Sequence, residues 1–275
     1  MKKLTIEKKE VDLAAYKMRH ASRDDFETMV NEPVEIYDTE GNLLIVYCTP
    51  SDPFLDKVKR VIGGIKIQSD YRTSGLKTHS RIIGFEPRKP TRKKDYCAAV
   101  SLRREDPARH DIVMAAGAIA AKCYEQYNPT LFATHQAMTT DNVPDDYHIK
   151  GMPYTSGIIN RNNALMYHFD SGNYKGVWSG MFMFKDGVAE GYLSMPEYNI
   201  GFNLADKSLI MFDGQGILHG VTPITKMNEQ ATRHTVVYYS LAKMWQCEPI
   251  GAEISRARNA RTMTEKNRRD GKLPR

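Results

Sequence analysis

The triplet His168-Phe169-Asp170 sets an imidazole and a carboxylate two residues apart. In extended chain such residues project to the same side, where both can meet one ion. Alone the triplet says little: with 8 histidines and about one residue in eight acidic, roughly one His-x-acid is expected by chance. A second imidazole, His219, follows 49 residues after Asp170, inside Met211-Phe212-Asp213-Gly214-Gln215-Gly216-Ile217-Leu218-His219-Gly220-Val221-Thr222-Pro223. Two imidazoles and a carboxylate on one face make a facial triad that leaves three positions of an iron open. Taken singly, His219 reads as an ordinary core or turn histidine. Its place beyond several candidate strands is what could return it to the same mouth.

Arg233 stands 14 residues after His219, with Thr235 two further on. A guanidinium there can take the distal carboxylate of 2-oxoglutarate in a fork, and a hydroxyl on the same strand face can share the load. In isolation Arg233 could equally be a surface strand arginine. The order His-x-Asp, a gap filled by strands, His-Gly, then Arg-x-Thr is the layout of double-stranded beta-helix dioxygenases. Zinc hydrolysis and cupin-type isomerisation are competing uses of two histidines and an aspartate. Neither needs Arg233.

These residues need a scaffold, and the chain from about residue 154 supplies strand language: short runs of Ile, Val, Phe, Tyr and Met between turn residues. Strands are expected over 157–160, 164–169, 177–184, 188–195, 198–204, 208–212, 216–219 and 234–241, with a hairpin at Lys185-Asp186-Gly187. About eight strands in roughly ninety residues can close into a jelly roll with a mouth at one end. Upstream, residues 34–48 read as a hairpin, and Asp106-Pro107 as a cap and first-turn proline for a closely packing helix through Ala115 to Tyr124. The expected class is therefore α+β: a double-stranded beta-helix core with an N-terminal hairpin and flanking helices. Residues 1–80 are read as hairpin and basic segment packed on the core, 81–245 as the catalytic domain with its preceding helix, and 246–275 as a basic helix or tail.

A chain of 275 residues with 41% hydrophobic and 26% charged residues can bury one substantial core. No apolar run approaches a membrane span, and Met1-Lys2-Lys3-Leu4 does not open a secretory signal, so a cytoplasmic location is expected. The cysteines Cys48, Cys97, Cys123 and Cys247 form no CxxC pair and are expected mostly as buried thiols. The net charge of +6 is unevenly placed. Residues 57–94 carry twelve Lys or Arg against Asp70 and Glu86, and residues 250–275 carry eight against Glu253, Glu265 and Asp270. Such segments suit a polyanion such as nucleic acid, or are merely solvated surface.

Three stretches resemble the TET/JBP family of Fe(II)- and 2-oxoglutarate-dependent oxygenases, which oxidise the 5-methyl group of thymine or 5-methylcytosine in DNA. They are Arg81-Ile82-Ile83-Gly84-Phe85-Glu86-Pro87-Arg88-Lys89-Pro90-Thr91-Arg92-Lys93-Lys94-Asp95-Tyr96-Cys97, similar to the segment before the catalytic core in the JBP branch; Tyr167-His168-Phe169-Asp170-Ser171-Gly172-Asn173; and Leu209 to Arg233 through His219. The likeness spans roughly residues 80 to 241. It implies iron on His168, Asp170 and His219; 2-oxoglutarate on Arg233 and Thr235, with Arg81 or Arg88 meeting its carboxylate near the metal; O2 as co-reactant and ascorbate as a candidate reductant. It further implies DNA as partner, with Asn173 on the edge of the target base. Gly172 departs from the TET branch, which has a histidine there, and this leaves the identity of the base open.

A base inside a duplex must be flipped out to reach such a pocket. Tyr174 and Trp178 are candidates to stack on it, and Tyr167 is a candidate better suited to the core. The run Arg88, Lys89, Arg92, Lys93 and Lys94 would follow phosphates. His135, His148 and His234 read as ordinary residues. The alternatives are a hydroxylase of a free amino acid or other small molecule, a non-catalytic nucleic-acid-binding jelly roll, and a cupin isomerase.

Overall fold

The computed structural model describes residues 1–16, 18–71, 77–89 and 94–271. Its strands are β1 (Lys2–Thr5), β2 (Thr28–Val30), β3 (Val34–Tyr37), β4 (Leu43–Cys48), β5 (Gln68–Tyr71), β6 (Lys77–Glu86), β7 (Ala98–Ala99), β8 (Ser156–Arg161), β9 (Ser179–Asp186), β10 (Val188–Glu190), β11 (Leu193–Met195), β12 (Ile200–Phe202), β13 (Ser208–Phe212), β14 (Gly220–Val221), β15 (Ile224–Lys226) and β16 (Thr232–Tyr239). Its helices are α1 (Leu13–Tyr16), α2 (Phe54–Gly63), α3 (Ser101–Glu105), α4 (Pro107–Tyr127), α5 (Pro129–Asn142) and α6 (Ile250–Arg269).

One large sheet runs β1-β3-β4-β13-β9-β16-β8-β6-β5, with β7 paired to β6. A smaller sheet, β14-β11-β12-β2, faces it, and β10 pairs with β15 alone. The result is an α+β jelly roll. Strand alternation explains the layering: in β13, Leu209 and Met211 enter the core shared with α2 and α4, while Ile210 and Phe212 enter the core shared with the smaller sheet. The same division separates Val46 and Cys48 from Ile45 and Tyr47 in β4. Strands buried on both faces read as continuous apolar runs, which is why the sequence shows them so plainly.

α4 begins as expected, with Asp106 accepting the Arg109 N–H at 3.2 Å and Pro107 in the first turn. Its small buried residues Ala116, Gly117 and Ala120 let it lie close on the sheet. The hairpin β3–β4 continues the large sheet through the pairing of β4 with β13. Residues 1–80 thus supply strands to both edges of one sheet.

Several local expectations are corrected. Lys185-Asp186-Gly187 is no hairpin: both edges of β9 are taken by β13 and β16, so the chain leaves the sheet there and β10 pairs with β15. The expected strand 164–169 is irregular, joined to its surroundings by an isolated bridge between His168 and His219. Cys97 and Cys247 form a disulfide rather than resting as thiols, across a separation of 150 residues that no spacing rule signals. Cys48 and Cys123 are free. The C-terminal segment is the helix α6, fastened by the buried Glu253, which accepts the Cys97 N–H at 3.0 Å and the Glu248 N–H at 2.9 Å. Among the described residues, no helix is long and apolar enough to cross a membrane.

Two histidines make stability depend on pH. Ser240 Oγ gives its hydrogen to the Pro153 carbonyl at 2.8 Å, so His135 Nε2, 2.8 Å from that oxygen, donates to it, and burial takes the His135 pKa down to about 3. Burial, helped by Arg161, takes His234 down to about 4. Both are neutral in the folded chain, whereas unfolded histidine titrates near 6.5. Below about pH 6.5 the unfolded chain takes up protons the folded chain refuses, so stability falls by about 1.4 kcal/mol per pH unit for each histidine. Urea midpoints measured from pH 7.5 to 5 should decline accordingly, and His135→Gln should flatten that slope. Reduction of Cys97–Cys247, or Cys97→Ser, is expected to cost about 2–4 kcal/mol, read as a lowered Tm.

Candidate active site

The site rests on main-chain pairing between two loops. His168 N–H donates to the His219 carbonyl at 3.0 Å, and His219 N–H to the His168 carbonyl at 3.1 Å. Val221 N–H extends this short ladder to the Leu165 carbonyl at 2.8 Å. The two imidazoles consequently sit side by side, with ring centroids 4.4 Å apart. Asp170 follows on the same side, and the three ligand atoms lie within 4.8 Å of one another.

The donor chemistry fits a divalent iron. His168 Nδ1 faces the Met166 carbonyl at 2.8 Å and His219 Nδ1 faces the Ile217 carbonyl at 2.9 Å. A carbonyl only accepts, so both Nδ1 atoms carry hydrogen and both Nε2 atoms keep their lone pairs for a metal. Asp170 Oδ1 lies 3.6 Å from His168 Nε2, while Oδ2 takes the Asn173 side-chain N–H at 3.3 Å. Asp170 N–H is tied to the Gly214 carbonyl at 2.8 Å. A Cβ at Gly214 would stand 2.5 Å from Asp170 Oδ2, so glycine there is required for the carboxylate to lie where it does. Asp213 closes the same turn by accepting from Gln215 and Gly216 N–H, each at 3.0 Å. Gln215 in turn donates to the Asn173 carbonyl at 3.1 Å. The two metal-side loops are thereby locked to each other.

A cleft of about 340 Å³ opens beside the triad, and Arg233, Thr235, Asn160 and Asn163 also line it. Arg233, opposite Lys185 in the ladder of β16 with β9, is 3% exposed. Its Nη2 has no hydrogen-bond partner, and no carboxylate pairs with it among the described residues. Burial lowers its pKa to about 10, and the nearby Arg233 charge helps burial lower that of Lys185. A buried, unneutralised guanidinium in a cleft calls for an anion. Thr235 Oγ1 accepts from Asn160 Nδ2 at 3.2 Å, and Asn163 Nδ2 donates to Asn160 Oδ1 at 3.1 Å, so the floor around Arg233 is polar and ordered. Asn160 and Asn163 were not anticipated. The available signal was an asparagine inside an otherwise apolar strand buried between two layers.

The remaining candidates divide. Asn173 lines the cleft. Trp178 is buried and stacks on Tyr124 with centroids 5.0 Å apart, and Tyr174 is buried against His135 and Trp245. Neither lines the cleft, because the chain after Asn173 turns into the helix-side core. Tyr167 is a core residue. Arg81 pairs with Glu105, and Arg88 with Glu253 and with Glu248, the latter at 2.7 Å, so neither reaches the triad's cleft. Arg88 and Lys89 line a second cavity of about 410 Å³ that shares Gly172, Tyr239 and Leu241 with the first. Lys89 and Lys94 both pair with Glu86. Arg92 and Lys93 lie outside the described residues.

Residues 84–242 match the Tet_JBP family, described as the oxygenase domain of the 2OGFeDO superfamily. Among solved structures the chain is similar to NgTET1 in complex with 5mC DNA, with TM-score 0.59 at 14% identity, covering 80% of this chain and 82% of that one. It is also similar to an oxidoreductase of the 2OG-Fe(II) oxygenase family from Burkholderia pseudomallei, with TM-score 0.46 at 13% identity over 71% of this chain and 84% of that one. OsALKBH1 gives TM-score 0.42 at 16% identity over 71% and 97%. No curated protein matches the chain. The likeness to NgTET1 shows a shared fold; the match over more than half of the sequence shows that the chain belongs to the Tet_JBP family and is an oxygenase working with Fe(II), 2-oxoglutarate and O2.

Proposed function

We propose that this oxygenase hydroxylates the 5-methyl group of a pyrimidine in DNA, thymine or 5-methylcytosine, giving the 5-hydroxymethyl base, succinate and CO2. We assign the iron to His168, Asp170 and His219, and the distal carboxylate of 2-oxoglutarate to Arg233 and Thr235. The observation that carries the reading is Arg233, a buried cation without a partner in the cleft that the triad borders. The substrate is supported by family membership and by the shared fold with NgTET1, whose structure was determined with 5mC DNA. When bound, iron with 2-oxoglutarate and O2 supplies the oxidant for the methyl group, with ascorbate as candidate reductant. The chain's own residues hold both Nδ1 protons on carbonyls, fix the Asp170 carboxylate through Asn173, and line the cleft with apolar side chains such as Leu193 and Phe212 that exclude water. Asn173 is our candidate for the edge of the flipped base.

A second reading, hydroxylation of a free amino acid or other small molecule, draws support from one observation. Arg88, Lys89 and Lys94, expected on phosphates, are each held by a carboxylate of the chain itself.

Anaerobic loading with Fe(II) and 2-oxoglutarate, exposure to air with DNA containing thymine and 5-methylcytosine, and mass spectrometry of the digested nucleosides should yield a 5-hydroxymethyl nucleoside that disappears in His168→Ala. Succinate without a modified base would move the substrate to a small molecule. Arg233→Met separates binding from folding. Loss of one partner of a buried charge pair costs about 2–5 kcal/mol, so KM for 2-oxoglutarate should rise roughly thirtyfold or more. The same change removes an uncompensated cation, and the unliganded protein should gain about 1–4 kcal/mol in urea denaturation. An unliganded variant less stable than wild type would show that the guanidinium is satisfied without an anion.

A further inference from the structure

We propose that residues 8–16 and 18–25 form a strap that positions both histidines, each through the residue preceding it; this rests on the assignment of His168 and His219 as iron ligands. On the His219 side the intermediary is Glu197, which is 5% exposed. Its Oε2 accepts the Leu218 N–H at 2.8 Å, and its Oε1 receives Lys8 Nζ at 2.8 Å. Lys9 N–H donates to the Glu197 carbonyl at 2.6 Å, so strap and carboxylate are joined through main chain as well.

On the His168 side the intermediary is Tyr167. Its N–H donates to the Arg19 carbonyl at 3.0 Å, and its hydroxyl meets Asp25 Oδ2 at 2.9 Å and Ser194 Oγ at 2.7 Å. Asp25 is itself fixed by Arg19 Nη2 and by Ser22 N–H, both at 2.7 Å. Arg19 lies over the rings of Tyr16 and Tyr167, and Tyr16 meets Tyr167 edge to face at 4.9 Å. The Tyr167 ring also packs on Gly220, where a Cβ would come within 2.9 Å of it. Tyr167, the residue before one histidine, therefore also braces the residue after the other.

Each histidine makes its Nδ1 bond to a carbonyl two residues back, so the direction of its Nε2 follows the main chain at 166–168 and 217–219. The strap holds that main chain from outside. Glu197 and Tyr167 are positioning residues, and the strap itself lies outside the matched span 84–242.

The test titrates the full chain without oxygen, using Fe(II) followed by calorimetry and Co(II) followed by its visible absorption, which reports ligand geometry. Glu197→Ala and Tyr167→Phe should each weaken metal binding about 10–100-fold, the usual effect of losing a group that orients a ligand, and should alter the Co(II) spectrum. Glu197→Gln keeps an acceptor for the Leu218 N–H and should restore most of the affinity. Lys59→Ala breaks a comparable ion pair with Asp206, 2.8 Å, away from the triad, and should bind metal as wild type does. If Glu197→Ala does not fold, Tyr167→Phe decides. A folded Tyr167→Phe with wild-type metal affinity and spectrum overturns the strap, whereas wild-type protein that takes up no metal overturns the ligand assignment on which it rests.

Discussion

The site depends on the reciprocal main-chain pairing of His168 and His219. Residues facing each other across an antiparallel pair project to one side, so this pairing places two imidazoles on a common face, and each loop's own carbonyl then orients its ring. The geometry of the candidate metal site is accordingly set by the backbone. Asp170 is then delivered by a turn whose closeness to Gly214 leaves no room for a side chain.

The large sheet performs a different task for Arg233. A guanidinium stripped of water and left without a carboxylate costs the fold several kcal/mol in any reasonable dielectric. The fold offsets that cost by apolar burial on both sides of the sheet, with Phe182, Phe184 and Val236 on one side and Met183 and Ile210 on the other. Under the proposed assignment of Arg233, the protein holds an unfavourable charge where a cosubstrate carboxylate would bind, an arrangement common to sites organised before their ligand arrives.

The sequence made the layers legible because strands such as β13, buried on both faces, read as continuous apolar runs and because α4 has an explicit cap. It also brought His168, Asp170, His219, Arg233 and Thr235 into one proposal by order and spacing, and the fold gathers these five around one cleft. What it concealed were contacts with no local signature. Nothing near Cys97 points to Cys247, and nothing near Arg88 points to Glu253, because both relationships are made by packing α6 and the residues just before it against the segment after β6. Tyr174 and Trp178 misled for a related reason: aromatic residues beside a site look alike whether the chain next turns outward or into the core. The break between β9 and β10 was likewise decided by strands elsewhere in the chain, which occupy both edges of β9.

The pairing of Lys89 and Lys94 with Glu86, and of Arg88 with Glu253, changes how this face meets a polyanion. A lysine that neutralises a nucleic-acid phosphate displaces the cations condensed on the polyanion, and each such release steepens the fall of affinity with ionic strength. A lysine that already holds a carboxylate must first give that partner up, exchanging one oxyanion for another. Affinity gained on this face would therefore be smaller than the count of basic residues suggests and would report on how readily the carboxylates give up their partners.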